Sequence, residues 1–379
     1  MTDSERVLLA LIRHSLFGAQ EAYPADTDWD EVLREAQAQA VVGLAAGSVP
    51  KEKREPWTIW RYQTAADHTQ IRFEQSQLIQ LLSSKGIPLA ILKGTAAAVY
   101  YPVPGLRALG DVDFIVPKDK CEETKAVLCE NGYIPSAEEH DPTRHTEYQK
   151  SGVVFEFHHR FSHPDLDIES YIDEGMKHLE TATVDAASFP MLPRLANGLV
   201  LLAHMKDHLQ YGMGLRQAID WMVFVYKELD DDFWETAFKK AAESVGLDML
   251  AITAARMSQI YLGLPDTITW CRDADPALCE TLMDSLLSSG NFGRKLEGGI
   301  YFESVTAAIK TRGLFRYIQY AGENNWKAYK KHPWLKPFCW IYQIGRYLRQ
   351  TVQSGRGKKM LHDLSRGRDR GEMLKKLKL

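Results

Sequence analysis

The chain has 379 residues, 45% of them hydrophobic and 25% charged, which excludes a disordered chain, a collagen-like chain and a small disulfide-stapled scaffold and leaves room for two to three domains of ~100–200 residues. The net charge of −4 hides an asymmetry: from Arg346 onward eleven Lys and Arg face three acids, a surplus of eight positive charges, while the rest carries a surplus of twelve negative ones. A basic tail on an acidic body points to an anionic partner or to docking onto the body, and it also fits a solvated, partly frayed terminus.

In chain order, Val7, Leu8, Leu11, Ile12 and Leu16 repeat at helical spacing. Trp29, Val32, Leu33 and Ala36 do the same behind Asp26, Thr27 and Asp28, which are good N-cap types. A third helix is expected from about Pro56 to Ser84, stopping at Lys85-Gly86. The pattern then changes. Pro88–Leu92 is an apolar run of buried-strand length and meets Lys93-Gly94-Thr95, after which Ala96, Ala97 and Ala98 favour helix. Pro102, Pro104 and Gly105 mark a loop. Asp111–Val116 alternates with period two and reads as a second strand. Lys118 to Asn131 reads as an amphipathic helix stopped by Gly132. Thr146–Lys150 and Val153–Phe157 form a candidate hairpin turned at Ser151-Gly152. From about Leu166 to Tyr347 the helical period returns.

The expected class is therefore α+β: a small mixed-sheet module between two helical regions. The expected divisions are an N-terminal helical region at 1–85, an α/β core at 86–165, a helical domain at 166–345 and a basic tail at 346–379.

The chemistry concentrates between Leu92 and His158. On a strand, Asp111 and Asp113 point to one face. Neighbouring carboxylates repel, and a divalent cation resolves this; Mg²⁺ prefers one or two carboxylates plus substrate phosphate oxygens. Glu156 and His158, also two apart, fall on the module's last strand. If that strand lies beside the Asp111/Asp113 strand, Glu156 becomes a third acid, and three acids suit two Mg²⁺ ions (Mn²⁺ is an alternative) flanking an in-line displacement. Gly94 permits close backbone approach, Thr95 is placed to open a helix whose N–H groups attract anions, and Lys93 or Arg107 can neutralise a triphosphate.

A Gly-Thr after a strand, an Asp-x-Asp strand and a later strand carboxylate resemble the polymerase-β-like nucleotidyltransferase superfamily. More narrowly, Leu92-Lys-Gly-Thr-Ala96, Tyr100-Tyr-Pro102, Arg107, Gly110-Asp-Val-Asp-Phe-Ile-Val116 and Glu156-Phe-His158 resemble a bacterial nucleotidyltransferase family of largely unassigned substrate. His204, Gly214-Leu-Arg-Gln217 and Asp220-Trp221 resemble its helical C-terminal half. The resemblance implies a polymerase-β-like core, metal binding by Asp111 and Asp113, Glu156 as third acid, and nucleotide phosphate at Gly94 and Thr95. It implies transfer of a nucleoside monophosphate from an NTP, ATP among them, to a small-molecule, sugar or peptide acceptor, with release of pyrophosphate. This chain departs from the family's pattern in having Gly-Thr for Gly-Ser and Glu for the commoner Asp.

Other features fit that reading or stand apart from it. His158 reads as a carboxylate partner or nucleotide contact. Arg216 and Asp220, at i and i+4, read either as a helix-surface ion pair or as a phosphate- or acceptor-binding arginine fixed by its acid. His204 and His208 have zinc-like spacing but lack a third ligand nearby, so a core or site-lining helix is expected. Trp334, Trp340, Ile341, Ile344, Tyr347 and Leu348 form an aromatic stripe before the basic tail, read as packing on the body, with peripheral contact to an anionic membrane as the alternative. Nucleic acid is not expected as a partner, because the body is acidic. The alternative functions are an Asp-x-Asp glycosyltransferase and a catalytically silent binding protein. Five cysteines without a CxxC, no apolar run near the ~18 residues of a membrane span, and no signal-peptide start lead to the expectation of a cytoplasmic protein.

Overall fold

The computed structural model describes residues 1–136, 144–162, 166–293, 295, 318–319, 322–323, 326, 328–329, 332–354 and 370–379. Helical periodicity over the first 84 residues becomes α1 (Asp3–Phe17), α2 (Trp29–Ala38), α3 (Val42–Ala45) and α4 (Glu55–Ser84). Thr2 and Glu5 close a capping box at the start of α1, and Asp28 caps α2 by accepting from the N–H groups of Asp30 and Glu31.

The central segment follows as β1 (Ala90–Ile91), α5 (Lys93–Ala98), β2 (Asp111–Ile115), α6 (Cys121–Glu130), β3 (Ile134–Pro135), β4 (His145–Lys150) and β5 (Val153–His158). Ser151 and Gly152 both adopt positive φ, 51° and 77°, in the two-residue turn joining β4 to β5. That backbone twist suits a tight hairpin, and glycine takes it without a Cβ penalty. Beyond it come α7 (Glu169–Lys177), β6 (Glu180–Val184), β7 (Ala187–Met191), α8 (Arg194–Tyr211) and α9 (Leu215–Glu228). Next, α10 (Asp231–Phe233) and α11 (Lys239–Ser244) flank a π-helical turn at Trp234–Phe238, followed by α12 (Asp248–Leu262), α13 (Pro276–Ser289) and α14 (Cys339–Ser354).

The strands form one seven-stranded mixed sheet in the order β3-β4-β5-β2-β1-β7-β6. β2 runs parallel to β5 and β1 parallel to β7; the other neighbours are antiparallel. This corrects the expectation of helix throughout 166–347, because the β6–β7 hairpin leaves that stretch and joins the sheet beside β1. Its β-branched Thr181, Thr183 and Val184 favour strand, but β6 is mostly exposed and has no apolar alternation to announce it. The sheet thus extends past the expected edge at 165.

The core is continuous from α1 to α13. Phe114 and Phe157, on paired strands, stack at 5.0 Å on the face opposite the acids. α5 packs on β2 and against α8 and α9, so it joins the middle of the sheet to the helical half. The basic tail is docked at its end rather than frayed: Met373, Leu374 and Leu377 are buried, and Arg370 Nε donates to the Leu209 carbonyl at 2.8 Å. Residues 355–369 of that tail, and the side chains of Tyr347 and Leu348 in the aromatic stripe, lie outside what is described. Trp334 and Ile341 are exposed rather than packed. Among the described residues, no helix is long and apolar enough to cross a membrane.

Candidate active site

Strand register builds the site. Parallel pairing sets Asp113 directly beside Glu156 and Ile115 beside His158, while Asp111 stands two residues earlier on the same face. Antiparallel pairing across the hairpin brings His145 opposite His158 and Glu147 opposite Glu156. Asp113, Glu156 and His158 each present one possible ligand atom, all within 4.8 Å of one another. Asp111 does not join that group. Its place on the shared face keeps it within electrostatic range of both Asp113 and Lys93.

Lys93 reaches into the cluster from the start of α5. Its Nζ lies 2.7 Å from Asp113 Oδ1 and donates to Glu156 Oε2 at 2.9 Å. His158 Nε2 lies 3.1 Å from the same two oxygens and, facing carboxylates, carries the ring proton. His145 Nε2 sits 3.2 Å from the other Glu156 oxygen.

The electrostatics follow from this crowding. Burial opposes the charge on Lys93, but Asp113, Glu156 and Asp111 outweigh it and raise its pKa. At 2.7 and 2.9 Å, ionised Asp113 and Glu156 would each contribute roughly 6 kcal/mol at an effective dielectric near 20, against a desolvation cost of several kcal/mol. Burial and Asp111 push Asp113 well above the carboxylate range, Lys93 acting against them. Glu156 moves the other way: burial raises it, but Lys93 and His158 together hold it well below its ordinary value. Burial lowers His158 despite Glu156. Three acids thus meet one lysine, a surplus of negative charge. The donor set is hard oxygen, and an ammonium already sits between two of the acids as a stand-in cation, so the residues fit a divalent metal.

A second cluster lies across Gly94. Arg107 and Asp220 form a two-point ion pair, Nε to Oδ1 at 3.1 Å and Nη2 to Oδ2 at 2.6 Å, and Tyr101 donates its hydroxyl to Asp220 Oδ1 at 2.7 Å. Arg107 Nη1 and Arg216 Nη1 both donate to the Ala108 carbonyl at 3.1 Å. Burial, aided by the neighbouring Arg107, lowers Arg216 to about 10. A Cβ on Gly94 would meet Leu109 Cδ2 at 3.4 Å and Arg107 Nη1 at 3.7 Å, so the chain passes close against this cationic wall.

The structure therefore brings Lys93, Asp113, Glu156 and His158 into mutual contact and sets Arg107, Arg216 and Asp220 together nearby, with Gly94 between. Two details differ from expectation. Thr95 is the third residue of α5 rather than its opening, and it is buried. Asp220 grips Arg107, 113 residues away in sequence, in addition to standing one helical turn from Arg216. His145 carried no expectation, and Tyr101 entered only within the Tyr100-Tyr-Pro102 resemblance, with no role assigned. Counting outward from the Ser151-Gly152 turn would have found His145 in the sixth pair, opposite His158; no local feature points Tyr101 to Asp220. His204 and His208, joined Nε2 to Nε2 at 2.7 Å, line the helical wall, and among the described residues neither belongs to a metal-ligating group of three.

The strand-paired acids, the glycine-containing bend and the helical wall lie together on a mixed α/β scaffold consistent with a nucleotidyltransferase fold. The family described as an uncharacterised nucleotidyltransferase matches residues 25–263, more than half of the chain, and the protein belongs to that family. No curated protein matches the chain.

Proposed function

We propose that the protein transfers a nucleoside monophosphate from an NTP to a hydroxyl of a small-molecule, sugar or peptide acceptor. The acceptor oxygen forms a bond to the α-phosphorus, the α–β phosphoanhydride bond breaks, pyrophosphate leaves, and the hydroxyl proton passes to the carboxylate cluster. Asp113 and Glu156, with Asp111 on the same face, would hold Mg²⁺ or Mn²⁺, one ion or two. Bound there, the metal would neutralise phosphate charge and polarise the α-phosphoryl group. His158 orients the two acids through their shared oxygens. Arg107 and Arg216, with Asp220 between them and Asp111 in electrostatic range, supply the guanidinium groups on which phosphate would rest, beside the Gly94 backbone. The reading makes catalysis mostly positioning and charge neutralisation.

One observation carries it: Lys93, bound to Asp113 and Glu156, directly precedes Gly94, and a Cβ on Gly94 would meet Arg107 Nη1 at 3.7 Å, so an acidic cluster and a guanidinium cluster both adjoin one backbone position. A metal–triphosphate complex has that polarity. The helical run through Ser84 lends no support to a glycosyltransferase, which needs alternating strands and helices ahead of its Asp-x-Asp.

The test is thermal stabilisation by each NTP and by UDP-sugars with Mg²⁺, followed by pyrophosphate release with an acceptor panel. The reading expects stabilisation by at least one NTP, lost in Asp113→Asn. Stabilisation by UDP-sugars alone would overturn it, and binding without pyrophosphate release from any acceptor would favour a silent binding protein.

A further inference from the structure

The ammonium of Lys93 occupies the point where Asp113 Oδ1 and Glu156 Oε2 converge, at 2.7 and 2.9 Å. Little solvent reaches it, since its side chain is 10% exposed. The backbone is set for this reach at a cost: Lys93 has φ of 43°, in the left-handed region that a lysine rarely adopts. No hairpin turn requires that conformation here; it aims the side chain from the end of β1 back across β2 to β5. A divalent cation held by the same two oxygens would lie within a few ångströms of Nζ, where two like charges repel strongly. Ammonium and metal cannot share the place.

Resting on the reading that these carboxylates hold a metal, we propose that Lys93 is the site's resident counter-cation and exchanges with it. Without metal, Lys93 neutralises Asp113 and Glu156 and keeps the acid cluster folded. When the divalent ion enters, it displaces Nζ. Lys93 immediately precedes Gly94, so the released ammonium stays tethered beside the Arg107–Arg216 wall and adds its charge where the triphosphate binds. Metal and nucleotide then load together: each raises the other's affinity, because the metal frees a phosphate-binding charge and the phosphate gives that charge a new partner.

The test has two arms, neither of which needs turnover. In the first, Mn²⁺ alone is titrated into the wild type, Lys93→Met and Arg216→Met and followed by electron paramagnetic resonance. Exchange predicts that Lys93→Met binds Mn²⁺ about tenfold more tightly or better, within the usual span of coupling between two binding events. Arg216→Met removes a nearby charge without opening the place between the acids, and its gain should be several-fold smaller. Lys93→Met should also melt at a lower temperature without metal and regain more of it with Mn²⁺. In the second arm, wild-type protein is treated with an amine-reactive reagent with and without Mg²⁺ at matched ionic strength, and labelling of Lys93 is read by mass spectrometry. Mg²⁺ should expose Lys93 several-fold. This arm decides the matter if Lys93→Met does not fold.

If the wild type binds Mn²⁺ while Lys93 stays protected, or Lys93→Met binds no more tightly, the exchange is overturned and the metal site stands. If neither protein binds Mn²⁺, the metal reading falls and the exchange falls with it. If only Lys93→Met binds, the lysine bars the ion rather than exchanging with it, and the exchange is overturned.

Discussion

Two ion-pair clusters flank Gly94, and they are balanced differently. At Arg107, Asp220 accepts two bonds from one guanidinium and a third from Tyr101, so its oxygens are spoken for by fixed partners, and the pair is almost fully buried. At Lys93, one ammonium serves Asp113 and Glu156 with Asp111 close by, and the two bridged acids are driven in opposite directions, Asp113 up and Glu156 down. A closed pair is built to stay as it is. A cluster with surplus charge of one sign is built around something that comes and goes. The same substitution, acid to amide, should therefore have different consequences on the two sides.

The largest expected effect is on turnover. Asp113→Asn should lower pyrophosphate release about 10³-fold, the scale for losing a principal electrostatic group, while leaving urea stability within about 1 kcal/mol of wild type, because relief from the neighbouring Asp111 and Glu156 charges offsets the lost contact with Lys93, which keeps Glu156. Asp220→Asn should do the reverse in stability, costing about 3–5 kcal/mol in urea unfolding, since it strands a buried guanidinium. If both variants lose stability equally, the contrast between the clusters is wrong.

Tyr101→Phe sharpens the same contrast on a smaller scale. It removes one hydrogen bond to a charged carboxylate and should cost about 2 kcal/mol in urea unfolding, with the Arg107 ion pair retained. A cost near zero would mean that Asp220 is less tightly fixed than its three bonds imply.

The smallest effect is a pH slope. His204 is lowered well below 6.5 by burial and by His208, and His208 is lowered to about 3 by burial and by Lys93. The unfolded chain therefore binds more protons than the folded one as pH falls below 6.5. This contribution is whole above 6.5 and is lost progressively toward about 3. Both rings are partly exposed, so the slope should stay under ~1 kcal/mol per pH unit. His208→Gln cannot titrate, and its urea midpoint should fall less than the wild type's between about pH 7 and pH 5. Parallel losses would show that the histidine pair does not set the slope.

The legible parts of this molecule are those that neighbouring residues determine. Period-two alternation placed Asp111 and Asp113 on one face, and Ser151-Gly152 fixed the hairpin that carries Glu156 and His158. Contact between Asp113 and Glu156 needed one further assumption, that β5 pairs with β2, and the register bears that out. The bridge made by Lys93 was not legible, because it depends on an unusual φ and on where a long side chain points. Arg107–Asp220 joins residues 113 apart and leaves no local trace. The β6–β7 hairpin was missed for another reason: β6 is largely exposed, and its side chains follow no hydrophobic period. The docked end of the tail was obscured by its charge, since the buried apolar residues Met373, Leu374 and Leu377 stand among many basic ones.

The most direct measurement is Mn²⁺ uptake by the wild type and by Asp113→Asn, read by electron paramagnetic resonance beside a urea unfolding curve for each. The account predicts that the wild type takes up the ion, and that Asp113→Asn fails to do so while unfolding at a similar urea concentration. Equal uptake by both proteins, or none by the wild type, would contradict it.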